Sequence, residues 1–377
     1  MNYIKRNFDI VSGNPDLDPL FTFKNFPVFM GCVDSPLSED VKADMKWDIS
    51  KSTGAIQLNP LLPLDIVYSS EHGSGTVGKA WDDHHQAFAE FVMDSNPKQV
   101  LEIGGLHGIL AKKCLDKNPS LDWTIVEPNP TIESDNSIQV IKTFFDKNFT
   151  SDQTYDTVIH SHVLEHVYNP DEFMGHKSSF MNEGDLLIFS IPNMQVMLEN
   201  NYTNCVNFEH TIYFTAPYVE YFLQKHGFKL IDKSFYKKDH SIFYKAQKVS
   251  SLESPALPSL YHKNKSTFDN YINAHLSDVE NINSIISNTD KPVYLFGAHV
   301  FSQYLIAFGL NTSNIINLLD NDLRKENKRL YGTELISKSP KVLKEVDEAI
   351  VILRAGVYNE EIKEDIITNI NPNIQFI

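Results

Sequence analysis

Cysteine is scarce: the 377 residues hold three, Cys32, Cys114 and Cys205. Their odd number and wide separation exclude a disulfide framework and a zinc ribbon of paired thiols. Basic residues are in deficit, 33 against 49 acidic ones, giving a formal net charge of −16. A protein that tracks nucleic-acid phosphates needs a basic surface, so no nucleic-acid partner is expected. A small anion held by a local cluster stays compatible with that charge. The opening MNYIKRNFDIVSG lacks the apolar run of a signal peptide. No stretch approaches a membrane span, so no membrane partner is expected either. A cytoplasmic location is the default.

What is present is apolar. Hydrophobic residues make up 42%, enough for sizeable cores. The length argues for two or three domains. Residues 1–80 read as a small irregular N-terminal region on the substrate side. Within it FPVFMG (26–31) predicts a short strand. GAIQLNPLLPLDIVY (54–68) is broken by prolines and cannot be one helix. WDDHHQAFAEFVM (81–93) has helical spacing, with Phe88, Phe91 and Val92 on one face.

From residue 98 the pattern alternates. KQVLEIGG, DWTIVEPN, a strand within TYDTVIHSHVLEHV followed by a helix start, and GDLLIFSIPN read as strands. ILAKKCLDKN and APYVEYFLQKHGF read as helices, and residues 229–248 as two strands joined by a turn. This predicts an α/β domain over residues 81–250, a central parallel sheet of Rossmann type with antiparallel edge strands. Ser- and Pro-rich residues 250–265 read as a linker or surface-hugging segment. A long helix follows with a core stripe of Phe268, Ile272, Leu276, Val279, Ile282 and Ile286. KPVYLFGAH, NIINLLDND, EAIVILRAG and NIQFI then predict a second, smaller α/β domain within 266–377, contributing to the substrate cleft.

The chemical signal lies at VLEIGGLHG (100–108). Glycines after a buried strand let the backbone turn sharply and let a ligand lie against it. The next helix points its positive end at that ligand. Glu127, ending the second strand, suits a pair of ribose hydroxyls. A glycine turn alone fits a nicotinamide site or a plain tight turn equally well. Glu102 within the motif, and the absence of a base in the turn, favour S-adenosylmethionine, whose ammonium a carboxylate can meet. Gly104, Gly105, Gly108, Glu127, Pro128 and His162 complete the expected cofactor set.

LEIGGLHG, IVEPN, VLEHVYNP and IPN resemble the ordered motifs of class I S-adenosylmethionine-dependent methyltransferases. The wider series FPVFMG, IVYSS, VLEH, IPN, FEHTIYFT and HGF resembles the deoxysugar C-methyltransferase family across nearly the whole chain. So does the C-terminal series VYLFGAH, LLDND, YGTEL, VILRAG and EEI. The resemblance implies a transferase of deoxysugar biosynthesis whose substrate is a nucleotide-linked 4-keto-deoxysugar. A base removes the proton beside the ketone, and the enolate attacks the methyl group. It implies His210 as that base, with Glu209 and His166 polarising or orienting the sugar. A histidine suits the step because imidazole ordinarily titrates near neutral pH. His166 is alternatively a residue that only packs beneath the cofactor. Tyr68 matches a tyrosine near the transferred methyl, and is alternatively a core aromatic.

Three departures stand out. The family tyrosine two positions before Glu209 is Asn207. The N-terminal zinc ribbon is missing, with ADMKWDISKSTGAIQL where its second cysteine pair belongs, so no metal is expected. FGAHVFSQ and AGVYNEEI lack the family's usual lysine-glycine and tryptophan-asparagine pairs. The sugar or nucleotide therefore differs, or the methyl goes to oxygen. The adjacent His84 and His85 point to different helix faces, which argues against a metal there. His240 and Ser241 read as turn residues or pocket lining, and Asp320 as a ribose ligand or a cap.

Overall fold

The computed structural model describes residues 2–68 and 79–377. The two serines of the IVYSS segment, Ser69 and Ser70, lie outside the described residues.

Seven strands form the central sheet: β1 (Gln99–Ile103), β2 (Asp122–Val126), β3 (Ile138–Ile141), β4 (Thr157–Ser161), β5 (Leu186–Pro192), β6 (Phe228–Tyr236) and β7 (Ser241–Lys248). Their spatial order is β3-β2-β1-β4-β5-β7-β6. Strands β1 to β5 are mutually parallel, and β7 runs antiparallel to both its neighbours. The α/β Rossmann-like class with antiparallel edge pairing is thus present as read. β1, β2, β4 and β5 are buried nearly end to end, because helices cover both faces and leave no room for alternation.

On one face, α1 (Lys79–Met93) turns Phe88, Ala89 and Val92 onto α2 (Ile109–Lys117), which buries Leu110, Ala111 and Cys114. Phe91 is only partly buried. On the other face lie α3 (Pro170–Phe180) and α4 (Ala216–Lys225). The helix start expected within residues 154–167 is corrected: residues 164–166 make one 3-10 turn, and α3 begins at Pro170. Asn169 and Pro170 set that start, since the Asn169 side chain accepts the Glu172 amide and proline tolerates the first helical position.

The N-terminal region is not irregular. Residues Leu17–Pro27, Lys42–Ser50 and Ile56–Leu58 form an antiparallel three-stranded sheet. Register shifts at Pro19/Phe21 and Phe23/Phe26 break its two-residue alternation, which hides it from periodicity. FPVFMG is strand only to Pro27. The last strand continues into the central domain, where Leu58 N donates to Thr211 O at 3.0 Å and Tyr213 N to Ile56 O at 2.8 Å.

The long helix Tyr261–Ser287 buries Phe268, Tyr271, Ile272, Val279, Ile282 and Ile286. Leu276 drops out of the expected stripe and is 43% exposed. Beyond it, five parallel strands stand in the order Ser337–Lys338, Ile315–Leu319, Val293–Phe296, Ala349–Leu353, Ile374–Phe376. The N-terminal region is fastened to this domain. Arg329 grips Asp40 with two 2.7 Å bonds. Gln303 donates to the Phe29 and Tyr331 carbonyls. Phe23 packs edge-on to Tyr304 and Phe308. Apolar burial of this kind contributes roughly 1.5–3 kcal/mol per large side chain.

Candidate functional site

The glycine turn follows β1 at the carboxyl end of the sheet, beside the point where strand order reverses between β1 and β4. Open α/β sheets bind ligands there. Gly104 is exposed and left-handed, φ +80°. A side chain on it would meet Val163 at 2.7 Å. Gly105 covers the Glu102 carboxyl, which lies 2.8 Å from where its Cβ would stand. Gly108, also left-handed at φ +61°, opens α2, and a side chain there would collide with Ile132 at 2.5 Å. Gly104 and Gly108 therefore answer a backbone need, and Gly105 leaves room for the Glu102 carboxyl.

Glu102 is 5% exposed and accepts the Trp123 indole N–H at 2.8 Å. Burial pushes its carboxyl up to about 7, against the opposing pull of that hydrogen bond. Glu127 follows β2, and its Oε1 accepts the Asn129 amide at 2.8 Å. Its pKa is also raised, chiefly by burial. Pro128 stands next to it, partly buried. The exposed left-handed Gly104, the buried carboxylate and the strand-end acid fit a ligand carrying an ammonium and vicinal hydroxyls.

The second group gathers after β4. His162 is left-handed, φ 53°, uncommon for a residue with a side chain. Its Nδ1 lies 3.2 Å from Glu165 Oε1, and its Nε2 3.0 Å from Ser241 Oγ. His166 sits between two carboxylates, Nε2 at 3.8 Å from Glu165 and Nδ1 at 3.7 Å from Glu209. Its ring meets the His210 ring edge-on at 5.0 Å. His210 Nδ1 lies 2.9 Å from the Cys205 carbonyl, which can only accept. The proton is therefore on Nδ1, leaving Nε2 as the basic nitrogen. Tyr68 is 41% exposed over its whole surface, yet its hydroxyl end is desolvated. Desolvation raises its pKa, and negative charge on Glu209, Tyr168, Glu165 and Glu127 raises it further. Tyr68 thus stays a proton donor within reach of the fields of both acid groups.

Asn207 is bound up in its own loop. Its Oδ1 accepts the amides of Glu209 (2.8 Å) and His210 (2.9 Å), and its Nδ2 donates to Asn204 O (3.1 Å). The side chain builds the turn that presents His210.

Two contributors gave no sequence signal. Arg6, 3% exposed, donates to Thr211 O at 2.7 Å and to Tyr168 O. It ties together the loops that carry His166 and His210. Burial lowers its pKa to about 10. Glu165 is fully buried, and neither carboxylate oxygen has an aligned hydrogen bond. The motif VLEH contained it, but the pattern stressed its histidine. His85 turns back onto the Trp81 carbonyl at 2.7 Å, while His84 is buried. Asp320 is a cap: it accepts from Ala298 N, Lys325 Nζ and Asp322 N.

Residues 76–233 match the family model for a methyltransferase domain. Solved structures similar to the chain include an O-methyltransferase family protein from Burkholderia thailandensis, 14% identical over 45% of this chain and 56% of that one, TM-score 0.37. Another is the N-methyltransferase NodS from Bradyrhizobium japonicum with S-adenosyl-L-homocysteine, 14% identical over 45% and 87%, TM-score 0.35. Human N-acetylserotonin methyltransferase with SAM is 15% identical over 50% and 61%, TM-score 0.37. The chain thus spans little more than half of the first of these. No curated protein matches. Among the described residues no helix is long and apolar enough to cross a membrane.

Proposed function

We propose that this enzyme, which carries a methyltransferase domain over residues 76–233, methylates a carbon of a nucleotide-linked 4-keto-deoxysugar. One observation carries the reading: His210, its tautomer fixed by the Cys205 carbonyl, meets the His166 ring, which lies between Glu165 and Glu209, and the charge of the same two glutamates holds the Tyr68 pKa up. Bound S-adenosylmethionine supplies an electrophilic methyl group. Gly104, Gly105 and Gly108 shape its cradle. Glu102 would answer the ammonium and Glu127 the ribose hydroxyls, with Pro128 and His162 flanking.

His210 Nε2 accepts the proton from the carbon beside the ketone. Tyr68 donates to the oxygen on which charge develops. Glu209 stands beside His166, which orients the sugar. Arg6 and the Asn207 turn hold both histidine loops in register. A cytoplasmic site of action goes with this reading.

A second reading is methyl transfer to a sugar oxygen. It is favoured by Asn207, whose amide serves the turn and leaves one donor fewer for an enolate. Product NMR separates the two: a new C-linked methyl supports the first, and a methoxy signal supports the second. Calorimetry with S-adenosyl-L-homocysteine and with NAD tests the shared premise, and binding of NAD alone would sink both readings in favour of an oxidoreductase.

A further inference from the structure

Three histidines from distant parts of the sequence meet beside the glycine turn. His84 comes from α1, His162 from the end of β4, and His240 from the turn between β6 and β7. One ring nitrogen of each lies within 4.8 Å of the others. The rings of His84 and His85 meet edge-on at 5.5 Å rather than facing apart, and the nitrogen partners of His84 come from other elements.

The surroundings of these rings are specific. His84 is fully buried, and neither of its nitrogens has a hydrogen-bond partner. An imidazole so placed normally finds one. His162 Nε2 and His240 Nδ1 converge on a single atom, Ser241 Oγ, at 3.0 and 2.7 Å. The Trp81 ring closes the group, its centroid 5.3, 4.9 and 5.0 Å from His84, His162 and His240. Tyr236 and Phe243 wall His84 on the far side. Behind His162, Glu165 brings Oε1 to 3.2 Å from Nδ1. A carboxylate behind a ligating imidazole is the usual support of a histidine metal ligand, fixing its tautomer and raising its basicity.

We infer that His84, His162 and His240 form a binding site for one divalent transition-metal ion of the zinc type. Three neutral imidazoles suit zinc and leave a fourth position open. Around a tetrahedral ion with bonds of about 2.0–2.1 Å, ligand nitrogens stand roughly 3.4 Å apart, so small ring rotations close the set. The ion would take one of the two orphaned His84 nitrogens as a ligand and give the buried Glu165 carboxylate a compensating charge. A second group, Glu165, His166 and His210, also converges. There, however, His210 Nδ1 is committed to the Cys205 carbonyl and His166 lies between two carboxylates. The orphaned His84 singles out the first group. This site does not depend on the identity of the methyl acceptor.

The test is a metal titration of the full chain, free of any affinity tag and stripped with chelator. Cobalt(II) is expected to bind at one ion per chain, with the visible absorption of a four-coordinate centre, and zinc to displace it. His84→Ala and His240→Ala should each abolish that spectrum. Glu165→Gln should weaken binding roughly 10–100-fold. His210→Ala should leave it unchanged. Circular dichroism checks that each variant folds, and the wild-type titration stands without them. No stoichiometric binding to the wild type overturns the inference. So does binding that survives His84→Ala and disappears in His210→Ala, which would move the ion to the second group.

Discussion

The central sheet and the C-terminal sheet put their first five strands in the same order, the third, second, first, fourth and fifth side by side. Both end the first strand at a left-handed glycine, Gly104 and Gly297. In both, that glycine's N–H donates to the last residue of the second strand: Gly104 to Val126 O at 3.0 Å, Gly297 to Leu319 O at 2.8 Å. An acid comes next in each, Glu127 or Asp320. There they part. The central turn runs on through Gly105 and Gly108 before α2 begins. The C-terminal turn enters the helix Val300–Ala307 almost at once. Asp320 then accepts from Ala298 N and Lys325 Nζ, both at 2.9 Å, so its carboxylate is taken up by the turn itself. The same scaffold thus gives an open cradle or a self-capped turn, depending on a few residues after the first strand.

On the function proposed above the chemistry belongs to the first sheet, and the largest effect should follow from removing its proposed base. His210→Ala is expected to lower kcat by roughly 10²–10⁴-fold while S-adenosyl-L-homocysteine affinity stays within a factor of two. Turnover beside calorimetry checks this. Full activity would take His210 out of the reaction.

The next effect is on stability against pH. Burial holds the folded Glu102 carboxyl at about 7, above the ~4.3 of an unfolded glutamate. Between those values the folded chain keeps a proton that the unfolded chain has released, so stability falls as pH rises through that window. Relative to Glu102→Gln, the wild type should lose on the order of 3 kcal/mol between pH ~4.3 and ~7. Urea unfolding at a series of pH values measures it, and parallel curves for the two proteins would contradict it.

The two strand-end acids allow a direct exchange of expectations. Glu127→Ala should weaken S-adenosyl-L-homocysteine binding roughly 10–100-fold, the loss of one or two charge-assisted hydrogen bonds. Asp320→Ala should leave that affinity alone and lower the melting temperature instead. If Asp320→Ala weakens cofactor binding as much, the second turn is also a ligand site.

The smallest difference concerns the glycines. Left-handed backbone costs a non-glycine residue about 1–2 kcal/mol at either position. Gly104→Ala must also push Val163 aside, whereas the nearest atom to a Gly297 side chain is Ser302 Oγ at 4.0 Å. Gly104→Ala should therefore destabilise by about 1 kcal/mol more, read from denaturation midpoints.

Legibility in the sequence followed the same divide. The central strands could be read because strands buried on both faces are continuous apolar runs with glycine or proline stops. Glu102 and Gly104 stood out because one local motif holds them, and Glu127 because it ends the next apolar run. The N-terminal sheet could not be read, since two bulges scramble its alternation. β3 is short and half exposed, and it passed unnoticed. Asn207 is a polar residue whose partners are its own backbone amides, a role that no motif distinguishes from substrate contact. Leu276 kept the helical spacing, but it stands at the edge of the packed face of the helix Tyr261–Ser287 and stays 43% exposed. The histidine trio is invisible along the chain because only the sheet's topology brings its members together.

Arg6 has one more consequence, and it concerns the order of synthesis. Its guanidinium reaches carbonyls 162 and 205 residues further along the chain. A chain emerging from the ribosome makes this arginine well before either partner, and cannot seat it fully until Thr211 is out. Until then the loops bearing His166 and His210 lack their common anchor. Fixing the two histidine loops to one another is therefore a long-range step, reached only after the parallel strands of the central sheet have all been made.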